Sequence, residues 1–402
     1  MTKVIGRAYV GSYASGPTRT EIPGAIHTLE IYDDGSLVAR STAGESMEAT
    51  ALSLSPDGTR LYAVDERRND GRGPVGRPGS LFAFSIDSKD GSLSEVSRQR
   101  TFAAFPTYLS VDPLGEFVVT ASHGSFEHVE HVIEVDGGFV VQNIYDDSAI
   151  CLFPIRADGG TEAPSDVYVM NNHSLDPGPS PQARGHAQAS SHAHSALFDP
   201  SGRYVIVGDK GADEIHVLRL DREARRLRPT QIMYTPTTSA PRHPVFHPDG
   251  RLVFMTDELA SGVSTYAFDQ TTGTLRHLAS RSATSPGFEG RNEPADITVH
   301  PNGRFVYLNN RGEDSVVGFA VDTDTGKLDY VGSALVAPSP DPGFAARTVK
   351  FDSSGRFLLV ADRPADSVLV LAVDPETGEM SSIGAAAVPG AAAIAVSPVG
   401  GA

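Results

Sequence analysis

Apolar and polar residues alternate in short runs along this chain, and the runs come in pairs bent around one repeated phrase. The copies read SPDGTRLYAVDE from Ser55, DPLGEFVVTAS from Asp112, DPSGRYVIVGDK from Asp199, HPDGRLVFMTDE from His247, HPNGRFVYLNNR from His300 and DSSGRFLLVADR from Asp352. Period-two alternation over such lengths predicts half-buried strands. Proline in the second place of the phrase presets φ and glycine in the fourth eases the exit, so each phrase predicts a hairpin corner. After most copies comes a third alternating run, as in SVVGFAVD from Ser315 and SVLVLAVD from Ser367, then an Asp-x-x-Thr-Gly turn and a more polar fourth run. Each unit is therefore a four-stranded antiparallel blade.

The turn glycines, Gly58, Gly115, Gly202, Gly250, Gly303, Gly355 and Gly400, are separated by 57, 87, 48, 53, 52 and 45 residues, mostly the spacing expected of propeller blades. The last copy, SPVG from Ser397, has no strand after it, and RAYVGSY from Arg7 has no turn before it. The two halves complement each other. The pattern predicts an all-β fold, a seven-bladed β-propeller over residues 1–402 as a single domain, with its ring closed by N- and C-terminal strands in one blade.

Composition changes this picture little. The 40 Gly and 28 Pro are spread through the turns rather than pooled in a linker, and no apolar run is long enough to span a membrane. The lone Cys151 rules out an internal disulfide framework, and the first residues, MTKVIGRAYV, lack the apolar core of a signal peptide, so a cytoplasmic location is expected. With 33 basic against 50 acidic residues the net charge is −17, which argues against nucleic acid or an anionic membrane as partner. A monomer or weak homo-oligomer is expected. Basic residues that cluster on so acidic a chain call for an explanation.

They cluster in register. Eight residues before each turn glycine stand Thr50, Thr107, His194, Arg242, Ala295, Arg347 and Ala392; eight after the six internal ones stand Glu66, His123, Lys210, Glu258, Arg311 and Arg363. Both sets lie at the end of the hairpin away from the turn, so they form two rings at one mouth of the central channel. A propeller wall built for stability would carry small and β-branched residues there. Ionisable groups in so many equivalent places predict an anion-binding catalytic pocket, with His194, Arg242, Glu258 and Arg311 as its centre.

Loop lengths point to the same mouth. Insertions at about 66–80, 123–147 and 171–193 all leave the blades there, and the second is long enough to carry its own hairpin. Short turns on one face and long loops on the other mark the long face for binding.

The segments GHAQASSHAHSALFDPSGRYVIVGDKGADEI, APRHPVFHPDGRLVFMTDELASGVSTYAFD and PADITVHPNGRFVYLNNRGEDSVVGFAVDTDTGKL resemble successive blades of the seven-bladed propeller lactonase family. That family includes propeller-type 6-phosphogluconolactonases and the fungal 3-carboxy-cis,cis-muconate lactonizing enzymes. The resemblance implies His194, Arg242, Glu258 and Arg311 as active-site residues, the four that the register count reaches. It implies hydrolysis of a lactone of an acidic small molecule without cofactor. The alternatives are a cofactor-free lactonizing cyclisation and a non-catalytic propeller used as an interaction platform. The chain departs from the family pattern at Asp209-Lys210-Gly211, where Asp-Leu-Gly is usual, and at Asp362-Arg363, where Asn-Gln is frequent.

Lactone hydrolysis needs a base to activate water, donors for the oxyanion and a cationic anchor. His194 is the expected base or acid, with Glu258 orienting it or sharing proton transfer, and Arg242 and Arg311 as oxyanion and carboxylate or phosphate donors. Arg347, Arg363, Lys210, His243, His123 and Glu66 are expected around the substrate. His123, His128, His131, His173, His186, His192 and His194 supply imidazoles, but no compact ligand motif such as HExxH occurs, so no metal site is expected. Nucleotide fingerprints, phosphate-cradling loops and a GxSxG elbow are absent from the sequence.

Overall fold

The computed structural model describes residues 2–15, 21–67, 79–175, 188–341 and 343–398. Among them are thirty β-strands and no helix. Twenty-eight strands form seven four-stranded antiparallel sheets, and the other two pair only with each other. The fold is the expected seven-bladed β-propeller.

The repeated phrase makes the corner between the inner two strands of each blade. In the six internal copies the glycine N–H donates to the carbonyl of the first residue of the phrase, for instance Gly202 to Asp199 and Gly250 to His247, both at 2.8 Å. All six glycines have φ between 66° and 75°, a left-handed conformation that disfavours residues with a Cβ. The first residue also links neighbours: His247 Nε2 donates to the carbonyl of Gly303 at 2.9 Å, and His300 Nε2 to that of Gly355 at 3.0 Å. In these two copies, which begin with His, the bonds brace the turns of three successive blades on the face opposite the pocket, whereas Asp199 and Asp352 bond within their own turns. The seventh phrase, ending at Gly400, lies outside the described residues.

The ring closes as the termini suggest. Val4–Ser12 pairs antiparallel with Ala391–Pro398, with Ala8 opposite Val396 and Val10 opposite Ile394. The outer strands of that blade, Ile26–Tyr32 and Leu37–Ala43, come from the N-terminal side. Apolar side chains pack between adjacent blades; one such cluster joins Val119, Ile150 and Leu152 to Ala196, Val205 and Val207. Burial on both sheet faces explains why the middle strands are near-continuous apolar runs.

The 123–147 insertion carries a hairpin, His128–Val135 paired with Gly138–Tyr145. Val129, Val132, Phe139 and Val141 are exposed on it. Most of the 66–80 and 171–193 insertions, including His186, falls at residues 68–78 and 176–187, outside the described residues.

The innermost strands carry the detail on which the site depends. Their pairing with the second strand is irregular between Ala49 and Ala51, Pro106 and Tyr108, Ala193 and Ser195, Pro241 and Pro244, and Pro294 and Ile297. The residues skipped are Thr50, Thr107, His194, Arg242 with His243, and Ala295 with Asp296. A bulge breaks strict alternation and re-aims side chains. Consecutive residues on one strand can thus both reach the channel.

Candidate active site

A cavity of about 480 Å³ opens at the channel mouth away from the Pro-x-Gly turns. Its wall includes Glu66, His123, His194, Lys210, Arg242, Glu258, Arg311 and Arg347, eight of the ten residues expected from sequence. The remaining two lie elsewhere. His243 lines the channel beneath the cavity. The Arg363 guanidinium is stacked between aromatic rings, 3.9 Å from the centroid of Tyr13 and 4.6 Å from that of Phe344.

Glu258 sits at the centre of the cations. Lys210 Nζ donates to its Oε1 at 2.6 Å, while Arg242 Nε lies 2.7 Å and Arg311 Nη2 2.9 Å from Oε2. The Arg242 N–H is poorly aligned with that oxygen, so the contact is an ion pair rather than a hydrogen bond. Both guanidiniums are fixed by the backbone instead, Arg242 Nη1 donating to Ala295 O at 2.7 Å and Arg311 Nε to Glu293 O at 3.1 Å. Burial alone would raise the Glu258 carboxyl, but Lys210, Arg311 and Arg242 outweigh it and hold it well below the usual carboxylate range. Glu258 is thus held as an anion among the three cations. Burial pulls Lys210 down and brings Arg242 down to about 9, which leaves Arg242 charged at neutral pH.

Glu293, which the register count passes over, completes the wall. Burial raises its carboxyl to about 7, with Arg311 pulling the other way. Phe105, Phe126 and Glu127 are further wall residues not foreseen; Phe126 and Glu127 flank the projecting hairpin.

His194 is buried, and burial with Arg242, His243 and Lys210 nearby holds it well below the usual imidazole range. It is neutral at pH 7. Its Nδ1 pairs with His243 Nε2 at 3.1 Å, so the residue that orients it is His243 rather than Glu258. His243 Nδ1 in turn lies 3.0 Å from Asp296 Oδ1, and Lys350 Nζ donates to Asp296 Oδ2 at 3.0 Å. Asp296 and Lys350 were not foreseen, because alternation along an unbulged strand gives them no place in the channel. On the other side His123 is stacked on His192, with ring centroids 4.6 Å apart, and meets His194 edge-on at 5.5 Å.

The opposite wall pairs Arg347 with Glu66 at 3.9 Å, and Tyr13 donates to Glu66 at 2.8 Å. Among the described residues Arg347 is the cavity cation whose carboxylate contact is long, 3.9 Å to Glu66, which leaves it well placed to take an anionic group of a ligand.

One His/carboxylate group among the described residues has spacing that could hold a metal ion: Asp209, Glu214 and His216, all buried within the blade of residues 193–234, the fourth when the closing blade is counted first. The imidazole is already engaged at both nitrogens, by Glu214 at 2.8 Å and Tyr168 at 3.2 Å, and none of the three lines the cavity. It reads as a buried polar network.

The family model described as lactonase, 7-bladed beta-propeller matches residues 7–396. The chain belongs to this family. The lactonase-family chain is 26% identical over 381 residues to the 6-phosphogluconolactonase of Formosa agariphila, covering 93% of this chain and 94% of that one. It is 26% identical over 382 residues to the 6-phosphogluconolactonase of Bacillus subtilis, covering 95% and 94%. Among solved structures, the periplasmic gluconolactonase of Pseudomonas aeruginosa superposes with a TM-score of 0.81 at 27% identity, covering 98% of this chain and 100% of that one.

Proposed function

We propose that this lactonase-family pocket hydrolyses a sugar lactone carrying an anionic group, of the 6-phosphogluconolactone kind. The observation that carries the reading is a neutral, buried imidazole, His194, facing the same cavity as Lys210, Arg242, Arg311 and Arg347. The neutral ring can accept a proton from water as the water oxygen bonds to the lactone carbonyl carbon. The cations of the cavity wall stabilise the oxyanion that forms. When the ring C–O bond breaks, the imidazolium returns its proton to the departing oxygen. Arg347 would hold the substrate's anionic group. The lactonases among the relatives support the reaction class.

A cyclisation of the carboxymuconate type is favoured by one observation, the Glu293 carboxyl raised to about 7. It would be partly protonated at neutral pH and could supply a proton to carbon. A passive interaction platform fits poorly, since a deep wall of buried cations is costly to keep without an anion to bind. A cytoplasmic location and a monomeric or weakly associating state belong to the same proposal; cell fractionation and sedimentation check them.

The deciding experiment offers the protein 6-phosphogluconolactone, unphosphorylated gluconolactone and a carboxymuconate-type diene, following acid release above the spontaneous rate or loss of conjugated ultraviolet absorbance. Acid release from the lactones, lost at least about a hundredfold in His194→Ala, is expected. Turnover of the diene alone would replace the hydrolytic reading with the cyclising one.

A further inference from the structure

We propose that His243 and Asp296 are positioning residues that fix the tautomer of His194, leaving the lone pair of His194 Nε2 as the proton acceptor of the pocket. The inference deepens the hydrolytic reading by assigning the accepting atom, and it rests on a chain of three hydrogen bonds.

The chain has a direction, set at its buried end. Asp296 Oδ2 accepts from Lys350 Nζ at 3.0 Å and from the Val349 backbone N–H at 3.2 Å. Asp296 Oδ1 therefore accepts from His243 Nδ1, 3.0 Å away, since an ionised carboxylate has no proton to give. Lys350 and His243 keep that carboxylate ionised against the burial that would raise it. With its proton on Nδ1, neutral His243 presents a lone pair at Nε2. His194 Nδ1, 3.1 Å away, must then be the donor. A neutral imidazole carries one N–H, so the His194 proton is on Nδ1 and its Nε2 is bare.

The groups around this chain act in the same sense. His194 faces Arg242, His243, Lys210 and His123; His243 faces Arg242, Asp296, Lys350 and the edge of Tyr108. The cations disfavour an imidazolium at rest. Once His194 Nε2 takes a proton from water, its Nδ1–H still donates to His243, whose far side is backed by the Asp296 carboxylate. The new charge is thus stabilised without any heavy atom having to move.

Asp296→Asn is the revealing variant because it keeps the shape and reverses the direction. Lys350 and the Val349 N–H both donate to the Oδ2 position, so the amide oxygen takes that side and the NH₂ faces His243. His243 Nδ1 must then accept, its proton moves to Nε2, and His194 Nδ1 becomes the acceptor with its own proton on Nε2.

The test is the ¹⁵N spectrum of histidine-labelled protein, with His194 assigned by its loss in His194→Gln, alongside kinetics on the best lactone. Wild type should show the protonated nitrogen of His194 as Nδ1, and Asp296→Asn should show it as Nε2. The variant's kcat should fall by about 10²–10⁴, the contribution of a positioned base, with KM changed less than about threefold. A merely structural role would not exchange the tautomer. A wild-type His194 protonated at Nε2 overturns the proposal even if the variant does not fold. A variant with exchanged tautomer and undiminished kcat overturns it too. The expected tautomers in a protein inactive on every lactone would leave the relay standing and fail only the hydrolytic reading.

Discussion

Lys210 reaches from the fourth blade to the fifth to place its ammonium 2.6 Å from Oε1 of Glu258, while Arg242 and Arg311 flank the other oxygen. One carboxylate thereby holds together cations from three blades that would otherwise repel one another in a buried space. Removing it leaves those charges uncompensated. Glu258→Gln should cost about 3–5 kcal/mol, as breaking a buried pair does, and Lys210→Met less, because the two guanidiniums remain on Glu258. Urea unfolding midpoints check the order; a Glu258→Gln variant as stable as wild type would show that the cluster is neutralised in some other way.

Arg347 faces the cavity with only a 3.9 Å contact to Glu66. Arg347→Ala should raise KM for a phosphorylated lactone about 10- to 100-fold, the equivalent of a lost charge-assisted hydrogen bond. For the unphosphorylated lactone it should change KM by less than about threefold. Equal losses on both substrates would place the anionic group elsewhere.

The pH profile follows from His194. A base held well below the usual imidazole range stays unprotonated through neutrality, so kcat/KM on an uncharged lactone should be flat from pH 7.5 to below about 6.5 and fall only at more acid pH. Repeating the profile in Glu293→Gln removes the one wall carboxyl placed near 7 and should leave the acid limb where it was. An inflection at or above the ordinary histidine value in both proteins would contradict the assignment.

Asp257 gives a stability test independent of activity. Burial raises its carboxyl to about 7, against about 3.9 in an unfolded chain. Between those values the unfolded state is ionised and the folded state protonated, so this group's contribution is present at low pH and is lost as pH rises towards 7. Asp257→Asn does not titrate. Its stability relative to wild type should therefore improve by about 2.6 kcal/mol from pH 5 to pH 8, read from urea midpoints. Parallel stability curves for the two proteins would refute it.

The blades were legible because one turn chemistry recurs at each inner corner, and register then carried His194, Arg242, Glu258, Arg311, Lys210, His123, Glu66 and Arg347 to one mouth. Counting by register assumes an even strand, and there it missed. Asp296 stands one place beyond Ala295, and only the irregularity between Pro294 and Ile297 lets the strand turn it to the channel. His243 was expected at the substrate, yet the double skip between Pro241 and Pro244 puts it under His194 instead. Arg363 was placed in the ring by count alone, and the aromatic rings of Tyr13 and Phe344 claim it. In the first two cases the one sequence sign is proline within the strand, Pro294 and Pro241 with Pro244, which marks an edge or a bulge without saying which residue it turns inward. In the third, a Phe and a Tyr far apart in the chain become neighbours only once the ring is formed.

The seam has a consequence for how the protein comes into being. Ala391–Pro398 is the last of the thirty strands in chain order, yet it is the innermost strand of the blade whose other three, Val4–Ser12, Ile26–Tyr32 and Leu37–Ala43, are the first. During translation those three emerge before the other six blades and wait with an open edge while these are made. An unpaired strand edge is a template for wrong partners, so the nascent chain stays open to misassembly for as long as Val4–Ser12 lacks Ala391–Pro398. A circular permutant with its ends joined and a new break in an exposed loop between two later blades would let the first blade finish early, and would move that period of risk to a different point on the ring.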